Sequence, residues 1–168
     1  MLIRPATAAD LPAIVEIWTP VIRDTTITFS SQIRTPEMVA DMIEMRRAAG
    51  REFFVADIAQ QGGAPRIGGF ASYDQFRGGN GYLHAMEHTI ILAPDARGMG
   101  AGRALMAAVN DHASAAGAHT MVAAIDGDNT NAQAFHAAIG FEHVGRLPQS
   151  GRKFDRWLDL VLMQKIIG

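Results

Sequence analysis

Glu87-His88-Thr89-Ile90-Ile91-Leu92-Ala93-Pro94-Asp95-Ala96-Arg97-Gly98-Met99-Gly100-Ala101-Gly102-Arg103 is the stretch on which the chain turns. Ile90, Ile91 and Leu92 form a short β-branched and apolar run closed by Pro94, too short for a helix and suited to a buried strand. After the glycines, Ala101, Leu105, Met106, Ala108 and Val109 recur at helical spacing, and Gly117 supplies a C-cap. The order is therefore strand, glycine turn, helix. Glycines that leave the backbone bare where it enters a helix let several N–H groups point at one anion, at the positive end of the helix dipole. Phosphate, and pyrophosphate above all, suits such a loop. An isolated Gly-x-Gly-x-Gly is equally the mark of a tight turn in which glycine supplies positive φ.

Spacing excludes two familiar phosphate loops. A Walker loop needs Gly-Lys-Ser/Thr, but Gly102 is followed by Arg103 and Ala104. A dinucleotide fingerprint would need its third glycine at Arg103 or Leu105. With Leu92-Ala93-Pro94 ahead of it, Arg97 to Gly102 instead resembles the coenzyme A pyrophosphate loop of the GNAT acetyltransferases, Arg/Gln-Gly-x-Gly-x-Gly/Ala, without a gap. This resemblance favours the phosphate reading over the bare turn.

The 168 residues suffice for one domain, 1–168, with a core that needs neither metal nor disulfide. A net charge of −2, from 15 basic and 17 acidic side chains, gives no global field toward nucleic acid or an anionic membrane, so an anion site must be local. The absence of cysteine excludes disulfides, thiolate zinc sites and a cysteine nucleophile. Met1-Leu2-Ile3-Arg4-Pro5 lacks the apolar core of a signal peptide, and no apolar run reaches membrane-spanning length. These features suggest a cytoplasmic protein.

Along the chain, Leu2 and Ile3 begin a strand ending at Pro5. Thr7 and Asp10 resemble a capping box, and Leu11, Ile14, Val15 and Trp18 give a helical stripe as far as Pro20. Thr25 to Ser31 is a polar, β-branched connection. Thr35 as N-cap and Pro36 at N1 start a second helix whose apolar face is Met38, Val39, Met42, Ile43 and Met45. Glu52–Ile58 and Ile67–Tyr73 read as strands joined through Gln60 to Pro65 in a hairpin. Arg77 to Gly81 is a mobile glycine loop. Thr120–Asp126 reads as a strand, Asn131–Ile139 as a helix stopped by Gly140, and Phe141–Val144 and Leu158–Met163 as closing strands. One mixed α/β sandwich accounts for the chain.

His84-Ala85-Met86-Glu87-His88 matches the inverted zinc-peptidase string His-x-x-Glu-His, which needs a helix to bring its histidines to one metal. On a strand the two histidines stand roughly 13 Å apart, too far for one zinc, so a hydrolase using His84, Glu87 and His88 requires this segment to be helical. On a strand, Glu87 faces away from both histidines. A carboxylate there is a solvated edge residue or a retained functional group.

The GNAT resemblance, specifically to the phosphinothricin and L-amino acid N-acetyltransferase branch, implies the second. In that branch a glutamate on this strand acts as general base. Asn129, Ala132, Gly140 and Phe141 also fit the superfamily's Asn, Ala, Tyr, Gly-Phe spacing, with His136 where tyrosine is commoner. Many members use that tyrosine to protonate the departing thiolate. The branch often carries histidine there, so His136 is the candidate acid, its other reading being a packing or hydrogen-bonding residue. The tail with Gly151, Lys153, Phe154, Trp157 and Asp159 is similar to the same branch.

The resemblance implies an α+β fold with a mixed, mostly antiparallel central sheet of six to seven strands and about four helices. It implies acetyl-CoA as co-substrate, no metal, and transfer of an acetyl group to the α-amino group of a small amino acid or analogue of the phosphinothricin, methionine sulfoximine or methionine sulfone type. Coenzyme A would be held by Thr89, Ile90, Ile91, Leu92, Arg97, Gly98, Met99, Gly100, Ala101, Gly102 and Asn129. Phe76, Arg77, Gly78, Met86, Glu87 and His88 would line the acceptor site, with Arg77 on the acceptor carboxylate. The region from Thr25 to Ser31 often borders that pocket in the superfamily. A homodimer is expected. An acyl-CoA-binding module in which Glu87 does no chemistry is the rival reading.

Overall fold

The computed structural model describes residues 1–59 and 63–168. Seven strands form one sheet: β1 (Leu2–Pro5), β2 (Phe53–Ile58), β3 (Arg66–Gln75), β4 (Ala85–Leu92), β5 (Thr120–Asp126), β6 (Glu142–Lys153) and β7 (Arg156–Ile166). Their order is β1-β2-β3-β4-β5-β7-β6, antiparallel everywhere except between β4 and β5. Four α-helices flank it: α1 (Leu11–Asp24), α2 (Pro36–Ala48), α3 (Ala101–Ala115) and α4 (Thr130–Ala138).

Alternation along the strands divides the core in two. Phe53, Val55, Phe70 and Ile91 face α1 and α2, packing with Ile14, Trp18, Ile22, Val39 and Ile43. Phe54, Ala56, Ala71, Tyr73 and Met86 face the other way and pack with Ala101, Leu105, Met106 and Val109 of α3. The small residues on α3 let it lie close to the sheet.

The local signals act much as their chemistry dictates. The Thr7 N–H donates to Asp10 Oδ2 at 2.7 Å, and Arg4 joins Asp10 to Asp57, holding the Asp10 carboxyl down at about 2 through its hydrogen bonds. The Met38 N–H donates to Thr35 Oγ1 at 3.3 Å. Gly117, at φ +88°, follows the last turn of α3.

Four expectations are corrected. Helix α1 does not stop at Pro20 but runs to Asp24. Proline removes one helical N–H there, while burial of Val21 and Ile22 holds the following turn in place. Met45 is exposed rather than part of the α2 apolar face. Helix α4 spans Thr130–Ala138 rather than Asn131–Ile139, because the Asn129 side chain caps it one residue earlier. The closing strands are longer than the apolar runs suggested: β6 continues past Pro148 to Lys153, with an irregularity between Leu147 and Gly151. As the edge strand it tolerates a residue without an N–H. Of the expected Gln60–Pro65 turn, residues 60–62 lie outside the described residues; β2 and β3 on either side are antiparallel.

The feature that makes a site is the short contact between β4 and β5. Their pairing covers Ala85↔Thr120, Met86↔Met121 and Glu87↔Val122 and then ends, although both strands continue. A wedge opens beyond Glu87.

Candidate active site

A cleft of about 970 Å³ occupies this wedge, lined on one side by Glu87 to Leu92 of β4 and on the other by Ala123 to Asp126 of β5. Arg97, Gly98, Gly100, Gly102 and Arg103 line its α3 end, with Asn129, Ala132, Phe135 and His136 from the α4 region.

The three glycines serve different purposes. Gly98 and Gly100 have φ of +76° and +83°, and a Cβ on either would meet nothing within 4 Å. Their conformation needs glycine, and the space beside them is open. Gly102 is needed for proximity: a Cβ there would stand 3.2 Å from Phe135 and 3.3 Å from Leu92. The expected coenzyme residues Thr89 to Leu92, Arg97, Gly98, Gly100, Gly102 and Asn129 thus come together along one cleft, whereas the Met99 side chain is exposed and Ala101 is buried in the α3 core. Asn129 also caps α4, its Oδ1 accepting from the Ala132 N–H at 3.1 Å. Open backbone at a helix start between two arginines, continuous with unpaired strand edges, fits an extended thioester carrier with a diphosphate.

Glu87 lines the middle of the cleft and is half-buried. Burial pushes its pKa up, and among the described residues no cation forms an ion pair with it. A carboxylate shifted toward neutrality and left unpaired can accept a proton from an amine.

His88 and His136 meet in the interior, a contact that no spacing rule announces because 48 residues separate them. Their rings stack at 5.0 Å, with Nε2 to Nε2 3.1 Å. His136 Nδ1 lies 2.7 Å from the Ala132 carbonyl, so we assign its proton to Nδ1, donating to that oxygen. His136 Nε2 then accepts from His88 Nε2–H, leaving His88 Nδ1 bare and, among the described residues, without a partner. Burial, reinforced by His136, lowers the His88 pKa to about 3, and burial lowers that of His136. Both rings are neutral near pH 7. With this assignment the His136 proton is engaged at Nδ1 by the Ala132 carbonyl, and its Nε2 accepts rather than donates.

The acceptor residues separate. Glu87 and His88 line the cleft, but Met86, on the face of β4 opposite to Glu87, is buried within the α3 core. Phe76, Arg77 and Gly78 follow β3 on an outward loop and do not line the cleft. The Arg77 guanidinium lies 5.5 Å from the Tyr82 ring centroid, and Gln75 Nε2 donates to the Arg77 and Gly79 carbonyls. The end of the cleft away from the glycine loop is lined by Trp18, Val21, Ile27 to Ser30, Arg34 and Arg46. The 27–30 segment is clamped from outside. Lys153 Nζ donates to the Thr28 carbonyl at 2.7 Å, Thr26 Oγ1 donates to Asp126, and Gly151 leaves room for the Phe29 ring, which a Cβ would overlap. Gly151 and Lys153 stand in the tail that resembles the branch, but their spacing does not reveal that they clamp a segment more than 120 residues earlier.

The zinc alternative required a helix, and this segment is β4. His84 precedes the strand and its Nδ1–H donates to the Gly117 carbonyl at 2.7 Å, while His88 turns to His136. Among the described residues no group of three His, Cys, Asp or Glu side chains is placed to hold a metal ion.

The acetyltransferase (GNAT) family model matches residues 18–141. The chain belongs to this family. It is 38% identical over 165 residues to the L-methionine sulfoximine/L-methionine sulfone acetyltransferase of Pseudomonas aeruginosa, covering 96% of this chain and 92% of that one. Its fold matches the GNAT superfamily phosphinothricin acetyltransferase of Sinorhizobium meliloti, solved in complex with AcCoA. That match has a TM-score of 0.90 at 32% identity, covering 99% of this chain and 88% of that chain. It also matches the ribosomal-protein-alanine N-acetyltransferase of Brucella melitensis, with a TM-score of 0.91 at 37% identity over 99% of both chains.

Proposed function

We propose that the protein transfers an acetyl group from acetyl-CoA to the α-amino group of a small amino acid or amino-acid analogue of the methionine sulfone, methionine sulfoximine or phosphinothricin type. The observation that carries this reading is the position of Glu87: without an ion-pair partner among the described residues, half-buried and raised in pKa, at the point where β4 and β5 separate. Acetyl-CoA brings the activated acyl thioester. Thr89 to Leu92 would hold the pantetheine arm, and the backbone at Gly98 and Gly100 with Arg97 the diphosphate. Glu87 takes one proton from the acceptor ammonium, the freed lone pair attacks the thioester carbonyl, and collapse of the adduct breaks the C–S bond. Coenzyme A leaves as a thiolate that takes up the second amine proton directly or through solvent, while the cleft walls align the two reactants. The names of the relatives support an α-amino acceptor. A cytoplasmic homodimer completes the reading; Tyr82, Leu83, Val144 and Trp157 are large apolar side chains at the surface available to a second copy.

The test is acetyl-CoA consumption against a panel of amino acids, the named analogues and a peptide beginning with alanine. Turnover with the free amino acids or analogues, reduced in Glu87→Gln with acetyl-CoA affinity retained, is the expected result. Unchanged turnover in Glu87→Gln removes the base, and binding of acetyl-CoA without any turnover would leave the binding-module reading.

A further inference from the structure

Among the described residues, two guanidinium groups in the cleft have no carboxylate partner. Arg46 on α2 lies over Phe53, with Cζ 5.9 Å from the ring centroid, and Arg34 lies over Trp18 at 5.7 Å. Arg34 Nε, Arg46 Nε and Arg46 Nη1 are buried and, among the described residues, have no hydrogen-bond partner. Nearby carboxylates are engaged elsewhere: Glu52 with Arg47 and the Phe53 N–H, Asp74 with Arg51. Burial, together with the positive charges of Arg51 and Arg34, pushes the Arg46 pKa down to about 10. An interior guanidinium without a counter-charge is costly, so the arrangement calls for an oxyanion from outside the chain.

The diphosphate is not that anion, because Arg97 and Arg103 already stand at the glycine end of the cleft. Phe53 pairs with Ser72, and Ser72 with Thr89, two residues from Glu87, so Phe53 and Glu87 share one face of the sheet. Two strand spacings separate β2 from β4, about 10 Å. The long arginine side chains and a compact amino acid together can bridge that distance. Among the described residues, Arg34 and Arg46 are the cations that line the cleft away from the glycine loop.

We propose that Arg34 and Arg46 form an oxyanion subsite that fixes the acceptor, holding its carboxylate or a side-chain oxyanion while its amine faces Glu87. This rests on the acetyl-transfer reading of the cleft. The variants are Arg46→Met, which keeps an apolar chain over Phe53, and Arg34→Gln. The acceptors are L-phosphinothricin, L-methionine sulfone, its carboxamide and L-methionine, read by kcat/KM and by calorimetric binding to the protein loaded with coenzyme A. Expected is a tenfold or larger rise in acceptor KM and Kd for the variants, with acetyl-CoA Kd unchanged. A penalty that disappears for the carboxamide places the carboxylate at the arginines; one that disappears for L-methionine places the side-chain oxygens there. Equal penalties on all four acceptors, no penalty, or no binding of any of them to the wild-type chain would overturn the subsite. Acceptor binding by the wild type without turnover would sink the acetyl-transfer reading alone, and the binding comparison would still decide the arginines. Without acceptor, Arg46→Met is expected to melt at or above the wild-type midpoint; a fall of several degrees would show Arg46 to be satisfied within the fold and overturn its part.

Discussion

Replacing His88 by methionine should make the folded chain less sensitive to acid. An unfolded histidine titrates near 6.5, whereas His88 in the fold titrates at about 3, chiefly because burial penalises its cation. The lowered pKa means that the unfolded chain binds a proton the native chain refuses. Stability through this group is intact above pH 6.5 and is lost as pH falls from there toward 3. At pH 5 the deficit spans about 1.5 pH units at about 1.36 kcal/mol each, or about 2 kcal/mol, and close to zero at pH 7.5. Any folded value well below 5 gives the same figure, so the magnitude follows from burial of the ring. Methionine fills similar space without titrating; at neutral pH it costs about 1 kcal/mol, because His136 Nε2 loses its donor. The assay is urea unfolding of both proteins at pH 7.5 and pH 5.0, at one protein concentration so that association cannot intrude. Wild type should lose about 2 kcal/mol more than His88→Met between the two conditions. Equal losses would refute the assignment of a neutral, buried His88.

The remaining predictions address the cleft. Glu87→Gln should lower kcat/KM by about 10²–10⁴ and abolish the acid limb of its pH profile. In the wild type that limb should lie above the ordinary glutamate value, with activity falling as the raised carboxyl is protonated. Gly100→Ala forces a side chain into φ +83°, a strain of about 1–2 kcal/mol, and intrudes on the open space beside the loop. Acetyl-CoA affinity by calorimetry should fall about tenfold or more while the acceptor KM changes little. Gly151→Ala puts a Cβ against Phe29 and displaces the clamped 27–30 segment at an overpacking cost of about 1–3 kcal/mol. It should raise the acceptor KM roughly tenfold and leave acetyl-CoA affinity alone.

What could be read along the chain was whatever is decided over a few residues. The β-branched run before Pro94, the glycines at 98 and 100, the Thr7–Asp10 and Thr35 caps and the stop at Gly117 all act through backbone conformation or hydrogen bonds spanning a turn or less, so composition and spacing suffice. Strand alternation likewise put Glu87 and His88 on opposite faces before any neighbour was known. Tertiary structure alone decided what lies across the sheet from them. The His88–His136 pair, the Lys153–Thr28 clamp and the unanswered Arg34 and Arg46 join residues brought together by pairing register and layer packing, for which the chain carries no local mark. The same holds for Arg77 and Met86: their residue types suit an acceptor site, but an outward loop and an inward-facing side chain keep them from the cleft. Local conformation is set by short-range sterics, whereas a site depends on which distant side chains the core brings into the same low-dielectric space.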